Sequence, residues 1–396
     1  MMKGPIGRIG HERQAAMSSQ SFHDALAHVI EDVVAPGAAD VDTSGEFPRK
    51  QIDALAQAGL LALTVPAEFG GGGGGGPREA AYVVRELGAV CGSTAMVVTM
   101  HYSATAALVA AGATETLTEI ANGRHLSTLA FSETGSRSHF WAPLGTASAG
   151  PGGTVVLTAS KSWVTSAGQA DSYVWSSLPL EADGPMTLWL VPAGAAGLTV
   201  SGTFDGLGLR GNASAPMTAD GVRVPRAAML GPDGGGLDLA LAAVLPVFLI
   251  CSASMSAGLM RRLADETAAH LQRTELRHLG QSLAQQAQPR AQLARLRIEA
   301  DRTRALIDDT LSAVDDGRGD AQLLVLEVKA AASEAAADAA DLALRACGGA
   351  AFRKESVVER LFRDSRAARV MAPTTDALYD FIGRALCGLP LLGDPA

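Results

Sequence analysis

Two short blocks carry residue types that could hold and work on a flat heteroaromatic ring. The first reads Leu129-Ala130-Phe131-Ser132-Glu133-Thr134-Gly135-Ser136-Arg137-Ser138, and the second Lys161-Ser162-Trp163-Val164-Thr165. Trp163 and Thr165 lie two apart, so on one strand they point to the same face. The indole offers a stacking surface, and the hydroxyl offers a hydrogen bond to a ring nitrogen or oxygen. Taken alone, the pair also reads as a buried tryptophan beside a β-favouring threonine. Both blocks sit in strand-like sequence, with helical sequence on either side. Gly152-Gly153 leading into Thr154-Val155-Val156-Leu157-Thr158 reads as a turn feeding a β-branched strand.

Together the blocks resemble the middle domain of acyl-CoA dehydrogenases, where T-E-P-G-A-G-S-D and K-x-W-I-T-N segments embrace the isoalloxazine of FAD. Here they read Ser132-Glu133-Thr134-Gly135-Ser136-Arg137-Ser138-His139 and Lys161-Ser162-Trp163-Val164-Thr165-Ser166. The resemblance implies FAD as cofactor. Leu129, Phe131, Ser132 and Ser138 would contact the flavin, with Val164 beside it. Trp163 would pack on the ring, and Thr165 would bond near its reactive nitrogen. Arg137 replaces a glycine and His139 an aspartate, which alters the substrate side of this loop, where Ser138 also faces. Further blocks follow in family order. Gly59-Leu60-Leu61-Ala62-Leu63-Thr64-Val65-Pro66-Ala67-Glu68-Phe69-Gly70-Gly71 resembles G-L-L-G-L-x-x-P-E-E-Y-G-G. Gly206-Leu207-Gly208-Leu209-Arg210-Gly211 resembles M-G-x-R-G-S. Arg345-Ala346-Cys347-Gly348-Gly349 matches Q-x-x-G-G, which approaches the FAD pyrophosphate and adenine end. By spacing alone, Gly348-Gly349 is equally a helix C-cap with a solvated Arg345. Val358-Glu359-Arg360-Leu361-Phe362-Arg363-Asp364-Ser365-Arg366 matches P-V-E-R-L-Y-R-D-A-R, and its charges read as structural ion pairs. Thr374 and Asp376 match the T-x-E/Q positions near FAD. In Leu276-Arg277-His278-Leu279-Gly280 the arginine that reaches a neighbouring subunit's FAD is displaced by one residue. The implied fold is α+β: a helical N-terminal domain (1–125), a middle β-barrel domain (126–232) and a C-terminal four-helix bundle (233–396). Such a bundle also buries a subunit interface, so a homodimer or homotetramer is expected.

Composition sets outer bounds. A chain of 396 residues is too long for one simple core. A net charge of −9 without a basic run argues against nucleic acid. Cys91, Cys251, Cys347 and Cys387 are scattered, with no C-x-x-C pair. That speaks against a metal site or a disulfide framework and for a reducing, cytoplasmic compartment. No secretory signal is apparent, and Met17 reads as an alternative start. The apolar run Leu239–Met255 is short for a membrane span and contains Pro246, so it reads as a buried core helix.

Helical spacing places Phe22, Leu26, Val29, Ile30 and Val33 on one stripe over 21–34, with Pro36 as the stop. A helix from Pro48 is capped at Gly59, and helices follow over 77–90, 93–111 and 114–122. Gly70–Gly76 reads as a loop rather than a phosphate cradle, because no strand leads in and no Lys-Ser/Thr follows. His101, flanked by apolar residues, reads as a core histidine, with a substrate-facing role as the alternative. From Ser127 the period becomes two, with strands over Thr154–Leu157, Ser172–Ser177, Met186–Val191 and Leu198–Val200. After Pro232-Asp233-Gly234-Gly235-Gly236 helices return over 237–276, 290–317, 320–347, 354–364 and 374–387.

The departures from the family fall on proton chemistry. A carboxylate usually takes the α-proton of the acyl thioester from a Y-E-G-T-S-E-I segment. Here that segment reads Met371-Ala372-Pro373-Thr374-Thr375-Asp376-Ala377, with Ala372 at the glutamate position. A methyl group accepts no proton. The alternative position, on an earlier helix, is Phe248. The positions that help hold CoA are Pro246 and Leu249. The catalytic base is therefore unassigned, with Asp376 and His139 as its candidates. The leading reading is an FAD-dependent oxidoreductase of this family. It would act on the CH–CH of an acyl thioester or related substrate with a non-standard base. The alternatives are a flavin monooxygenase, served by a flavin reductase, and a non-catalytic flavin-binding subunit. The electron acceptor is not identified.

Overall fold

Helix-period sequence at both ends and alternating sequence between them produce the helix–sheet–helix order of the computed structural model. Its described residues are 19–72, 76–137 and 139–392. Met17 and the tail before it, Gly73–Gly75 and Ser138 lie outside them. The first helices are α1 (Ser19–Val29), α2 (Ala35–Ser44), α3 (Arg49–Gln57), α4 (Pro77–Gly88), α5 (Gly92–Ala111) and α6 (Thr114–Ala121). Pro36 does not stop the chain as expected. A π-turn at Ile30–Val34 joins α1 to α2, and Pro36 sits in the first turn of α2. A missing N–H costs little there. The same device recurs later: the single helix expected over 237–276 is α7 (Gly236–Leu239), a π-turn at Ala240–Val244, then α8 (Leu245–Arg273) with Pro246 in its first turn.

The middle of the chain forms β1 (Ser127–Ala130), β2 (Thr146–Ala149), β3 (Thr154–Val164), β4 (Ser172–Ser177), β5 (Thr187–Pro192), β6 (Leu198–Val200), β7 (Ala215–Pro225) and β8 (Met229–Leu230). The expected barrel takes the form of two four-stranded sheets, ordered β1-β4-β5-β8 and β2-β3-β7-β6. β1 and β4 pair in parallel, whereas β3 pairs antiparallel with β2 and β7. A lone bridge from Glu133 to Lys161 links the segment after β1 to β3 in the other sheet. The strand expected over Thr154–Leu157 runs on to Val164. Its inward phase is Val155, Leu157, Ala159 and Lys161.

The last part contains α9 (Ala287–Asp315), α10 (Ala321–Cys347), α11 (Val357–Ser365), α12 (Ala367–Val370) and α13 (Thr375–Leu386). α8, α9 and α10 pack on one another, and α13 packs on α10. α8 also lies against α4 at backbone distance. A Cβ on Gly258 would come within 1.9 Å of the Arg85 carbonyl oxygen, and one on Gly88 within 2.7 Å of the Met255 oxygen. Only hydrogen fits at such a crossing. Gly92–Ala111 and Gly236–Arg273 are long and apolar enough to cross a membrane, yet 72% and 67% of their most apolar windows are buried in the fold.

Candidate active site

The β domain and helices from both sides of it in the chain line a cavity of about 530 Å³. That is an ordinary size for a small-molecule site. Both sequence blocks reach it: Leu129, Phe131 and Ser132 from the first, Trp163 and Thr165 from the second. Strand alternation is not what brings Trp163 and Thr165 together. β3 ends at Val164, its pairing with β7 slips between Lys161 and Val164, and Trp163 has a φ of +55°. The bulge turns Trp163 out of the inward phase that Lys161 occupies. The indole is 69% exposed, so it is not the buried core tryptophan that the local sequence also allowed. Its only ring neighbour among the described residues is Phe204, edge-on at 6.3 Å. Thr165 is buried, with its hydroxyl 3.0 Å from that of Ser214, and Ser214 also lines the cavity. A bare indole beside two hydroxyls at an apolar cavity fits a flat ring with polar edges, as FAD has.

A buried ion pair fixes the two blocks relative to each other. Lys161 Nζ donates to Glu133 Oε1 at 2.5 Å, to the Ser176 carbonyl oxygen at 2.7 Å and to Ser176 Oγ at 2.8 Å. Glu133 Oε2 accepts from the Leu144 and Gly145 amides at 2.6 and 2.8 Å. Neither side chain reaches solvent appreciably. Burial pulls the Lys161 ammonium down to about 8, and the Glu133 charge works in the opposite direction. Each residue lies in one of the two blocks, 28 positions apart, and no local pattern pairs them.

The opposite wall comes from α5, α8 and the strip after α12. Met96, Met100, Phe248, Met371, Ala372 and Pro373 line it. Thus Ala372 and Phe248, the positions where the resemblance implied a base, both line the cavity. Among the described lining residues only Arg363 and Arg366 are ionisable. Arg363 is engaged by Asp42 and Glu359, and Arg366 by Asp341 at 2.8 Å with its guanidinium over the Phe362 ring. These are the structural ion pairs expected from that block.

Other expected site residues lie elsewhere. Asp376 is exposed on the first turn of α13 and does not line the cavity, while Thr374 caps that helix by accepting from the Ala377 amide. His139 is exposed and stacks on Trp141 at 4.8 Å. Neither base candidate therefore reaches the cavity. Val164 is buried and does not line it. Arg277 and Arg345 are exposed; Gly348 and Gly349 follow α10, with open space where a Cβ would stand. None of these four reaches the cavity within one chain. The substrate-facing role of His101 does not stand. His101 is fully buried in α5; its Nε2 contacts the Leu61 carbonyl oxygen at 3.1 Å, and its Nδ1 accepts from the Ser127 amide at 3.2 Å. That network assigns the neutral tautomer with the proton on Nε2. Burial holds its pKa down at about 4. Ser138 falls outside the described residues. Also among the described residues, no group of His, Cys, Asp and Glu is placed to hold a metal ion.

Comparison with known proteins gives three consecutive matches: "Acyl-CoA dehydrogenase, N-terminal domain" over residues 18–121, the middle domain over 128–222 and the C-terminal domain over 234–387. The chain is 28% identical to the probable acyl-CoA dehydrogenase YngJ of Bacillus subtilis (strain 168), covering 93% of this chain and 97% of that protein. It is 28% identical to the human mitochondrial short-chain specific acyl-CoA dehydrogenase, covering 86% and 83%. Among solved structures, butyryl-CoA dehydrogenase from Megasphaera elsdenii superposes with a TM-score of 0.87 at 21% identity, covering 93% of this chain and 97% of that one.

Two outcomes are expected from the buried charges. Lys161→Met leaves Glu133 as an uncompensated buried carboxylate, which should cost about 3–5 kcal/mol. Adding Glu133→Gln keeps one acceptor oxygen for the Leu144 and Gly145 amides and removes the charge, so the double variant should melt above the single one. A double variant melting below Lys161→Met would disprove the pairing energetics. For His101, the unfolded ring binds a proton below its ordinary value of 6.5, while the folded ring resists until about 4. Its contribution is therefore present above pH 6.5 and lost as pH falls toward 4, at up to about 1.4 kcal/mol per pH unit. Urea titrations of wild type and His101→Gln between pH 7 and pH 4.5 should show a shallower acid decline in the variant.

Proposed function

Because the chain belongs to the acyl-CoA dehydrogenase family, we propose that it is an FAD-dependent oxidoreductase acting on the CH–CH of an acyl thioester in the cavity described above. The observation that carries this is the exposed, left-handed Trp163 beside Thr165, set over an apolar pocket. Bound FAD supplies the hydride acceptor. Trp163 holds the ring by stacking, and the Thr165 and Ser214 hydroxyls serve its polar edge. Met96, Met100 and Phe248 give an acyl group apolar walls and exclude water. Arg277, Arg345, Gly348 and Gly349 serve the FAD of a neighbouring copy, which accounts for their distance from the cavity in one chain. The exposed Phe352 (81%) and Leu386 (68%) suit burial in a homodimer or homotetramer. Free cysteines at all four positions accord with a cytoplasmic location. The matched family and the relatives named above are dehydrogenases, so the monooxygenase and non-catalytic readings are not favoured.

Among the described residues, the cavity walls offer no carboxylate for the α-proton. Ordinary saturated acyl-CoAs should therefore reduce the flavin slowly, since a positioned general base typically supplies about 10²–10⁴-fold in rate. The test is anaerobic mixing of the FAD-loaded protein with acyl-CoAs of several lengths, following flavin bleaching. Ala372→Glu should bleach at least about 10²-fold faster than wild type with the best substrate. Trp163→Ala should retain less FAD through dialysis, because a stacked ring contact is worth roughly 1–3 kcal/mol. A protein that takes up no flavin, or flavin retention indifferent to Trp163→Ala, refutes the reading.

A further inference from the structure

A second buried ammonium stands behind the opposite wall of the cavity. Lys329 lies on α10, is fully buried, and has no carboxylate partner among the described residues. Its Nζ donates to three backbone carbonyl oxygens: Ala368 at 3.0 Å, Met371 at 3.1 Å and Pro373 at 2.7 Å. An ammonium has three N–H donors, and these three acceptors use all of them. Ser333, one turn along α10, adds its hydroxyl to the Ala368 oxygen at 3.3 Å and to the Lys329 carbonyl at 2.7 Å. Three carbonyl oxygens drawn to one point repel each other, and only a compact cation with rotatable donors can gather them; a planar guanidinium cannot. Burial pulls the ammonium down to about 7, and what faces it among the described residues is carbonyl oxygen rather than carboxylate.

The gathered strip is the cavity wall. Val370, Met371, Ala372 and Pro373 all line it, one residue beyond the carbonyl of Ala368. We propose that Lys329 is a positioning residue for the reaction, holding the 368–373 backbone in one shape so that Met371, Ala372 and Pro373 present a fixed face to the substrate. This rests on the reading of that cavity as the acyl site. Lys329 itself touches neither the cavity nor a reacting atom; it acts through the backbone. Without it, the Met371 and Pro373 carbonyl oxygens lose this donor and the Ala368 oxygen keeps only the longer bond from Ser333, so the strip has to turn toward water or other donors.

The test separates geometry from chemistry. In Lys329→Met, amides over 368–374 should exchange hydrogen faster than in wild type, while those of β3 keep their rates. The FAD-loaded variant should keep its flavin, because Trp163 and Thr165 are on another element. The rate of anaerobic flavin reduction at saturating acyl-CoA should fall roughly 10- to 100-fold, as misplaced walls typically cause. In the Ala372→Glu background the same substitution should remove the gained rate, since the new carboxylate rides on the strip. Should Lys329→Met fail to fold, Lys329→Gln keeps two donors and should show the same changes at smaller size. Unchanged exchange over 368–374, or an unchanged rate per flavin in the Ala372→Glu background, would overturn the proposal. If no acyl-CoA reduces the flavin of either wild type or Ala372→Glu, the functional reading fails, while the exchange result still decides whether Lys329 fixes the strip.

Discussion

Burying an ammonium and a carboxylate together costs several kcal/mol per ion before any attraction is counted. Lys161 and Glu133 recover that cost because neither ion is left with an idle polar atom. Lys161 spends its donors on Glu133 and on both oxygens of Ser176; Glu133 spends its second oxygen on two amides. The consequence is positional. Glu133 belongs to the loop after β1, Lys161 to β3 in the other sheet, and Ser176 to β4, so one cluster sets three segments in register. Phe131 and Ser132 lie just before it in the chain, and Trp163 lies two residues after it. The cavity floor inherits its geometry from this pair.

The helices reach the same cavity by a different constraint. α8 must pass close to α4 and also supply Leu245 and Phe248 to the wall, next to Val244 from the π-turn. Gly88 and Gly258 let the backbones meet, and the π-turn at Ala240–Val244 shifts the helix by part of a turn before Pro246. A proline in the first turn gives up no hydrogen bond. With α8 placed, α10 packs on it and carries Lys329 to the back of the 368–373 strip.

Much of this was legible in the sequence, for reasons that can be traced. Period-two and helical spacing located most elements, and the flavin-type blocks were readable because they are contiguous. Lys161 could have been read as a charge in phase with Val155, Leu157 and Ala159 had the strand been carried past Leu157. Lys329 could have been found the same way, as a charge on the stripe of Val325, Ala332 and Ala336. Their partners were not legible. Lys161 reaches Glu133 across 28 residues, and Lys329 reaches its carbonyls across 39 to 44. Pro36 misled because a missing N–H normally ends a helix, and nothing local announces a π-turn. The bulge at Trp163 arises from how β3 slips against β7, a partner some fifty residues on. A strictly alternating strand would have buried the indole beside Lys161.

That bulge is what makes Trp163 informative. A non-glycine residue at positive φ costs on the order of 1–3 kcal/mol. Leaving a large apolar side chain in water forfeits roughly another 1.5–3 kcal/mol of burial. Both costs fall on one residue, in a chain whose other tryptophans, Trp175 and Trp189, are fully buried and whose Trp141 packs against Phe140 and Phe381. Folding of the bare chain gains nothing from either cost. A flat ligand on the indole would remove the second and give the first a purpose. The opposite wall shows the reverse balance. A carboxylate at position 372 or 248 would be expensive to desolvate among Met96, Met100 and Met371, and alanine and phenylalanine avoid that expense. Strain is thus kept where a ring is to be held and released where a proton would be taken. One wall of the cavity therefore carries an exposed, strained indole, and the facing wall carries the apolar side chains of Ala372 and Phe248.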